Sequence, residues 1–414
     1  MARARPETSR SSTPAPRARR AGPSRVAPRR AALALAVAAA AAACSDAPLD
    51  GSTLGVPYDS LRGGIIFSTR SIVGSAGYEL YWMPLPDVRV SSVIGAARLT
   101  ESGGDETQPA VALLGGVIAF AASDGIYVIV GPEGRFKRIT DTSGTSFVDK
   151  MPSVSPNGDR VAWVREDRER PIPDTIELYE TYVMIANVDG TSARELEPRP
   201  GVIQEAPVFD PRVDPRITRI AWSEWVVATT VRGTGPRDYG IYAYDYGAGT
   251  GGYLCQSVNG FTPGTEGLAV IDRRLPYRCF GQHLDWPSVD RIVVTQDQFH
   301  ISTQGLGSFT GLPELSRSVK LQVEGIPFDA PRGDGFYPPW PLSSHTSPFF
   351  NVMVFDGPFQ TPLEANGDTL GIWLAQPDGS SAVRLKIQGF QSDIDLVNTR
   401  NYYFSLTTPR IVPP

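Results

Sequence analysis

Three histidines and three cysteines are all that 414 residues provide for metal or thiol chemistry. His283, His300 and His345 form no His-Glu-x-x-His motif and stand at no metal-binding spacing. Cys44, Cys255 and Cys279 form no Cys-x-x-Cys, which removes that redox or zinc motif. The chain also lacks a Gly-x-Ser-x-Gly nucleophile elbow, a Gly-x-x-x-x-Gly-Lys phosphate loop and an EF-hand-like acidic run. No cofactor and no metal are therefore expected. Long apolar runs are missing too. The longest, residues 31–43, has about 13 residues, whereas a spanning helix needs about 20.

Charge is unevenly placed. Nine of the 39 basic residues and one acid, Glu7, lie in residues 1–30. From Cys44 onward 30 basic and 43 acidic residues remain, a net charge of −13. Such an acidic body would repel phosphates, so no nucleic-acid partner is expected.

The basic stretch 1–30, the alanine-rich core and the small residues Ala41-Ala42-Ala43 before Cys44 describe a secretory signal. Ala41-Ala42-Ala43-Cys44 resembles a bacterial lipobox, which implies cleavage after Ala43 and a lipid on Cys44. An ordinary signal with Cys44 incidental is the alternative, and Arg29-Arg30 leaves a twin-arginine route open. Residues 1–43 are read as signal peptide and 44–62 as a lipid-anchor tether. Ser45 in place of an aspartate favours the outer membrane in a two-membrane cell, with the body periplasmic or at the cell surface. Cys255 and Cys279 form either a disulfide, stabilising by ~3 kcal/mol, or two buried thiols.

What is abundant is glycine (41), proline (37) and a recurring phrase. Ile65-Ile66-Phe67, Ile118-Ala119-Phe120, Val161-Ala162-Trp163 and Ile220-Ala221-Trp222 are short apolar runs ending in an aromatic residue. A second run follows the first three, at Glu79–Trp82, Ile126–Val128 and Tyr182–Met184. Arg98-Leu99-Thr100 and Arg138-Ile139-Thr140 close two of the units. A repeat of roughly 40–50 residues in an all-β pattern predicts propeller blades. The aromatics are expected to pack sheet against sheet. The mixed-charge run Glu166–Arg170 is expected in a solvated loop.

Pro152-Ser153-Val154-Ser155-Pro156-Asn157-Gly158-Asp159, with Val161-Ala162-Trp163 and the later Asp189-Gly190, resembles the repeat of TolB-like β-propellers. Residues 107–140 and 206–222 match it in part, and Pro377-Asp378-Gly379 supplies another hairpin turn. The resemblance implies an all-β, six-bladed propeller of four-stranded antiparallel blades. Candidate blades are 63–100, 107–140, 150–197, 205–256, 283–324 and 336–387. Asn398–Thr407 is expected to complete the first blade, so that the propeller spans 63–407 and leaves 408–414 as a tail.

Residues beside each blade-opening proline should ring one channel mouth. They are Glu106, Gln108, Lys150, Gln204, Glu205, His283, Asp285 and Tyr337. Their mixture of charge, amide and aromatic character suits a polar ligand or a peptide segment. On a strand, His283 and Asp285 would face one side. The function expected is a non-catalytic, monomeric envelope lipoprotein that binds a protein or peptide partner. The alternative is an envelope polysaccharide lyase or glycosidase, which needs acids or histidines clustered in the channel.

Overall fold

Short apolar runs between Gly- and Pro-rich turns become strands throughout the described residues. A computed structural model describes residues 49–54, 56–70, 77–87, 93–102, 104–172, 179–230, 233–256, 283–288, 291–296, 300–305, 320–322, 343–359, 369–376, 383–389 and 408–414. Among them every regular element is a β-strand, apart from one 3-10 turn at Tyr58–Leu61.

The strands form four-stranded antiparallel blades taken in chain order. The first contains β1 (Gly64–Thr69), β2 (Glu79–Pro84) and β4 (Ala97–Arg98). β5 (Thr107–Val111), β6 (Val117–Ala122), β7 (Gly125–Val130) and β8 (Arg135–Arg138) follow as the second. β9 (Phe147–Val154), β10 (Arg160–Pro171), β11 (Tyr179–Asn187) and β12 (Arg194–Glu195) make the third. β13 (Val202–Phe209), β14 (Arg219–Thr230), β15 (Gly233–Asp245) and β16 (Thr250–Gln256) make the next. β17 (His283–Ser288), β18 (Arg291–Gln296), β19 (His300–Gly305) and β20 (Lys320–Gln322) form another sheet. The last of the series is β21 (Ser343–Ser347), β22 (Val352–Phe359), β23 (Thr369–Ala375) and β24 (Val383–Arg384).

Two contacts close the circle. β26 (Arg410–Ile411) joins the first blade beside β1, with Ile65 opposite Ile411. β25 (Lys386–Ile387) pairs in parallel with β3 (Val93–Ile94), tying the last sheet to the first. Closing the ring removes the open strand edges that a linear stack would leave. The closing strand lies within the stretch read as a tail. Asn398–Thr407, expected in that role, lies outside the described residues, as does the Pro377-Asp378-Gly379 turn. Ile411 and Val412 are buried, so apolar burial places the closing strand there.

The blades pack face to face. Ile66, Leu80 and Leu99 of the first meet Ile118, Phe120 and Tyr127 of the second. Val117 and Val128 meet Val161 and Trp163, and Ala162 and Val183 meet Ile220 and Trp222. Ile65, Phe67 and Met83 meet Val354, Ile372 and Leu374 across the closure. Phe67, Phe120, Trp163, Trp222 and Phe355 are fully buried, so they are inter-blade fillers and offer no sugar platform. Truncating such a side chain to alanine costs about 3–5 kcal/mol.

Two sequence expectations are corrected. Residues from Leu49 to Leu61, read as tether, lie against the outer edge of the second blade. Gly51 and Leu54 donate backbone hydrogen bonds to Phe136 and Gly134 at 2.9 and 3.0 Å. Leu54, Tyr58 and Leu61 are buried in the core between the first two blades, which explains why this stretch docks. Glu166–Arg170, expected in a loop, continues β10. Its charges pair with the inner strand, within β10 and across the hairpin: Lys150–Glu166 at 2.6 Å, Arg170–Asp167 at 3.3 Å and Arg170–Glu180 at 3.5 Å.

Candidate functional site

The inner strands β5, β9, β13 and β17 are each interrupted by a proline, which has no N–H to give to the ladder. The interruption is a bulge. Register shifts fall between Thr107 and Ala110 on β5, Glu205 and Val208 on β13, and Asp285 and Ser288 on β17. β9 shifts against β10 between Lys150 and Ser153. The residue before the proline takes left-handed backbone at Gln108 (φ 54°), Met151 (φ 52°), Ala206 (φ 50°) and Thr408 (φ 31°). Positive φ crowds a residue that carries a Cβ, so each such residue stores of order 1–3 kcal/mol.

Backbone N–H groups at these bulges, and on β21 and β26, reach a side chain of the preceding blade. Met151 N–H reaches Gln108 Oε1 at 2.8 Å, and Ala206 N–H reaches Met151 Sδ at 3.4 Å. Thr346 N–H reaches Asp285 Oδ2 at 2.6 Å, and Ile411 N–H reaches His345 Nδ1 at 3.1 Å. Asp356 Oδ2 accepts from Thr408 N–H at 3.2 Å. A girdle of side chain to backbone bonds thus joins blade to blade round the channel.

The girdle surrounds a cavity of about 120 Å³, room for a few waters or one side chain. Ala110, Val154, Pro207 and Leu284 line it with apolar surface, while Asp285, His345 and Arg410 supply charge and a ring nitrogen. Burial pushes the Asp285 carboxyl up to about 6, against the pull of the Thr346 N–H and Arg410. Burial, helped by Arg410, pushes His345 down to about 3, consistent with Nδ1 acting as acceptor. Burial lowers the Arg410 guanidinium from its ordinary value, opposed by Asp285 and Asp356.

The sequence-predicted residues separate. Gln108 and Asp285 line the cavity. Lys150 pairs with Glu166; burial pushes Glu166 up, but Lys150 and Arg168 outweigh it and hold the carboxyl below its ordinary value. Gln204 is buried between blades, taking Val183 N–H at 2.9 Å and donating to Glu224 at 3.3 Å. Glu205 is buried, and Glu106 is buried beside Glu79. Only the backbone of His283 is described, on β17. Tyr337, Cys44 and Cys279 lie outside the described residues, and Cys255 is described only as backbone of β16.

Sequence reasoning missed His345, Arg410 and Asp356. The signal was present: Ser347-Pro348 and Thr408-Pro409 repeat the blade-opening pattern, so β21 precedes Pro348 and not the prolines after Tyr337. It also missed the far ends of the inner strands. Leu114 N–H donates to Pro156 O at 2.9 Å, bringing the ends of β5 and β9 to one mouth. The exposed apolar side chains Leu114 (52%), Phe349 (49%) and Val213 (40%) each follow an inner strand. They stand at the opposite end from Glu106, Lys150 and Gln204.

No metal-holding group of His, Cys, Asp or Glu occurs among the described residues, and none of their helices is long and apolar enough to cross a membrane. No family model matches this chain, and no curated protein matches it in sequence. Solved structures match in fold at low identity. A nidogen/laminin complex chain is 10% identical, with 76% of this chain and 89% of that chain covered and a TM-score of 0.44. TolB from Acinetobacter baumannii is 13% identical, with 85% and 67% covered and a TM-score of 0.46. A protein assigned as TolB in Agrobacterium tumefaciens is 12% identical, with 78% and 88% covered and a TM-score of 0.41. The successive four-stranded antiparallel sheets make the chain a β-propeller in fold.

Proposed function

We propose that this chain is an exported, lipid-anchored propeller of six blades that binds a protein or peptide partner at a channel mouth and catalyses no reaction. The count of six follows the four-stranded sheets in chain order. Export rests on the signal-like residues 1–43, and anchoring on Cys44. A disulfide between Cys255 and Cys279 and a monomeric state belong to the same reading.

One observation carries the binding role. Three of the five exposed large apolar side chains among the described residues, Leu114, Val213 and Phe349, follow inner strands at one end of the channel. Each offers an apolar contact to a partner seated over that mouth. The cavity of about 120 Å³ has room to receive a side chain of such a partner. The enzyme alternative would draw on Asp285 and His345, and each already gives one functional atom to a backbone N–H.

Photo-crosslinking groups placed at Leu114 and Phe349 in intact cells test the proposal. A discrete protein adduct from these positions, weak or missing from Lys150, is the expected result. Polysaccharide cleavage abolished by Asp285→Asn would overturn it.

A further inference from the structure

We propose that the seam between the first two blades is closed by one proton shared between Glu79 and Glu106. Glu79 opens β2 and Glu106 immediately precedes β5. Their relative exposures are 0% and 1%. Glu79 Oε1 accepts from the Arg98 guanidinium, and its Oε2 accepts from the Thr100 hydroxyl at 2.9 Å. Glu106 Oε1 accepts from the Ser102 hydroxyl. Glu106 Oε2 is buried, has no donor, and belongs to a carboxyl within hydrogen-bonding reach of Glu79.

Two ionised carboxylates in that arrangement would repel each other in a dry site. A proton on Glu106 Oε2 makes it a donor, gives it Glu79 as acceptor and removes the repulsion. Burial pushes the Glu106 carboxyl up to about 8; the Ser102 hydroxyl opposes this, the Glu79 charge adds to it, and the Thr100 hydroxyl shared with Glu79 opposes it. Other charged groups near the seam are engaged elsewhere. Arg98 also reaches Glu101 at 3.3 Å, Asp105 accepts from Tyr78 N–H at 2.8 Å, and Arg70 lies over the Tyr78 ring at 5.2 Å.

The other blades show what this position requires. Glu106 stands three residues before its blade proline, as Asp149 and Gln204 do before theirs. Asp149 is neutralised by a two-pronged bond from Arg165, at 2.7 and 2.8 Å. Gln204 makes the same kind of link without charge, donating its amide to Glu224. Glu106 has neither a cation of its own nor an amide, and a protonated carboxyl reproduces the donor and acceptor of Gln204. The seam also holds backbone, since Glu106 N–H donates to Tyr78 O at 2.7 Å. It therefore fixes the start of β5 and, two residues on, Gln108 of the girdle.

The pH dependence has a definite sign. An acid whose folded value is raised keeps its proton in the folded state and loses it in the unfolded chain. Stability therefore falls as pH rises from about 4.5 to about 8, then levels. Infrared spectra and urea unfolding of the wild type and Glu106→Gln, both in an Asp285→Asn background, test this. The wild-type residue should give a protonated-carboxyl band at pH 7 that titrates near pH 8 and is missing from the glutamine variant. The ratio of the two folding constants should grow in favour of glutamine by about tenfold per pH unit between 5 and 8. No such band at neutral pH, parallel pH curves, or a chelator-sensitive divalent cation at the seam would each overturn the proposal. If the glutamine variant does not fold, the band of the parent protein decides alone.

Discussion

The arc of channel wall built by β5, β9 and β13 and the arc built by β17, β21 and β26 share one backbone problem. Both carry bulges at prolines and both turn N–H groups toward a neighbouring blade. The first arc meets this need with Gln108 and Met151, which do not titrate. The second uses Asp285 and His345, with Arg410 and Asp356 beside them. The same geometry thus gives one half whose girdle acceptors do not titrate and one half whose girdle acceptors do. Bulge geometry fixes where an acceptor must be, while the chemistry of that acceptor is left to each blade.

The contrast is broken most severely at Arg410. Arg410→Met leaves Asp285 and Asp356 without their nearby cation, and loss of one partner from a buried charge group costs about 3–5 kcal/mol. Urea unfolding at pH 7 should register that loss, and it should shrink on acidification as Asp285 protonates. A variant equal to wild type at pH 7 would remove Arg410 from the electrostatics of the arc.

Next come the titratable acceptors. Asp285 is raised to about 6, so its contribution is fully present below about 3.8 and declines as pH rises to about 6. His345 is lowered to about 3, so its contribution is present above about 6.5 and lost as pH falls toward 3. Between pH 4 and 6 the two slopes oppose each other. Asp285→Asn in a Glu106→Gln background should expose the histidine slope, with about 2–3 kcal/mol lost from pH 6.5 to 4. His345→Gln should expose the reverse. Thermal unfolding across pH 4–7 checks both, and unchanged slopes would remove the distinction between the arcs.

In the neutral arc, Gln108→Leu leaves the buried Met151 N–H without an acceptor, a loss of about 1–3 kcal/mol. That loss should be constant from pH 4 to 7, and a pH-dependent loss would count against the comparison. The smallest effect on folding is expected at the rim. Leu114→Ser with Phe349→Ser should change stability by roughly 0.5 kcal/mol or less. The same pair should reduce partner capture in pull-downs by at least about tenfold, in keeping with a loss of about 1.4 kcal/mol or more.

Much of the scaffold was legible locally. The apolar-aromatic phrases fall on β1, β6, β10 and β14, and their followers on β2, β7 and β11. Arg98-Leu99-Thr100 and Arg138-Ile139-Thr140 recur because each threonine caps a strand: Thr100 accepts from Leu80 N–H at 2.9 Å and Thr140 from Ile126 N–H at 2.8 Å. Gly158 takes φ 76° in the turn that Pro156-Asn157-Gly158-Asp159 predicted. The channel was less legible. Gln108 and Asp285 were found through their prolines, but His345 and Arg410 carry no local mark of function. Glu106 and Gln204 were expected at a mouth and are buried in seams, because a strand-start position reveals nothing about which neighbouring blade covers it.

By itself the chain determined its strands, turns and repeat. Those follow from side-chain alternation and from prolines and glycines acting over a few residues. Only the closed tertiary structure decided that Asp285, His345 and Arg410 share one wall and that Glu79 meets Glu106. Those groups are far apart in sequence, and their protonation depends on burial that does not exist until the blades pack against one another.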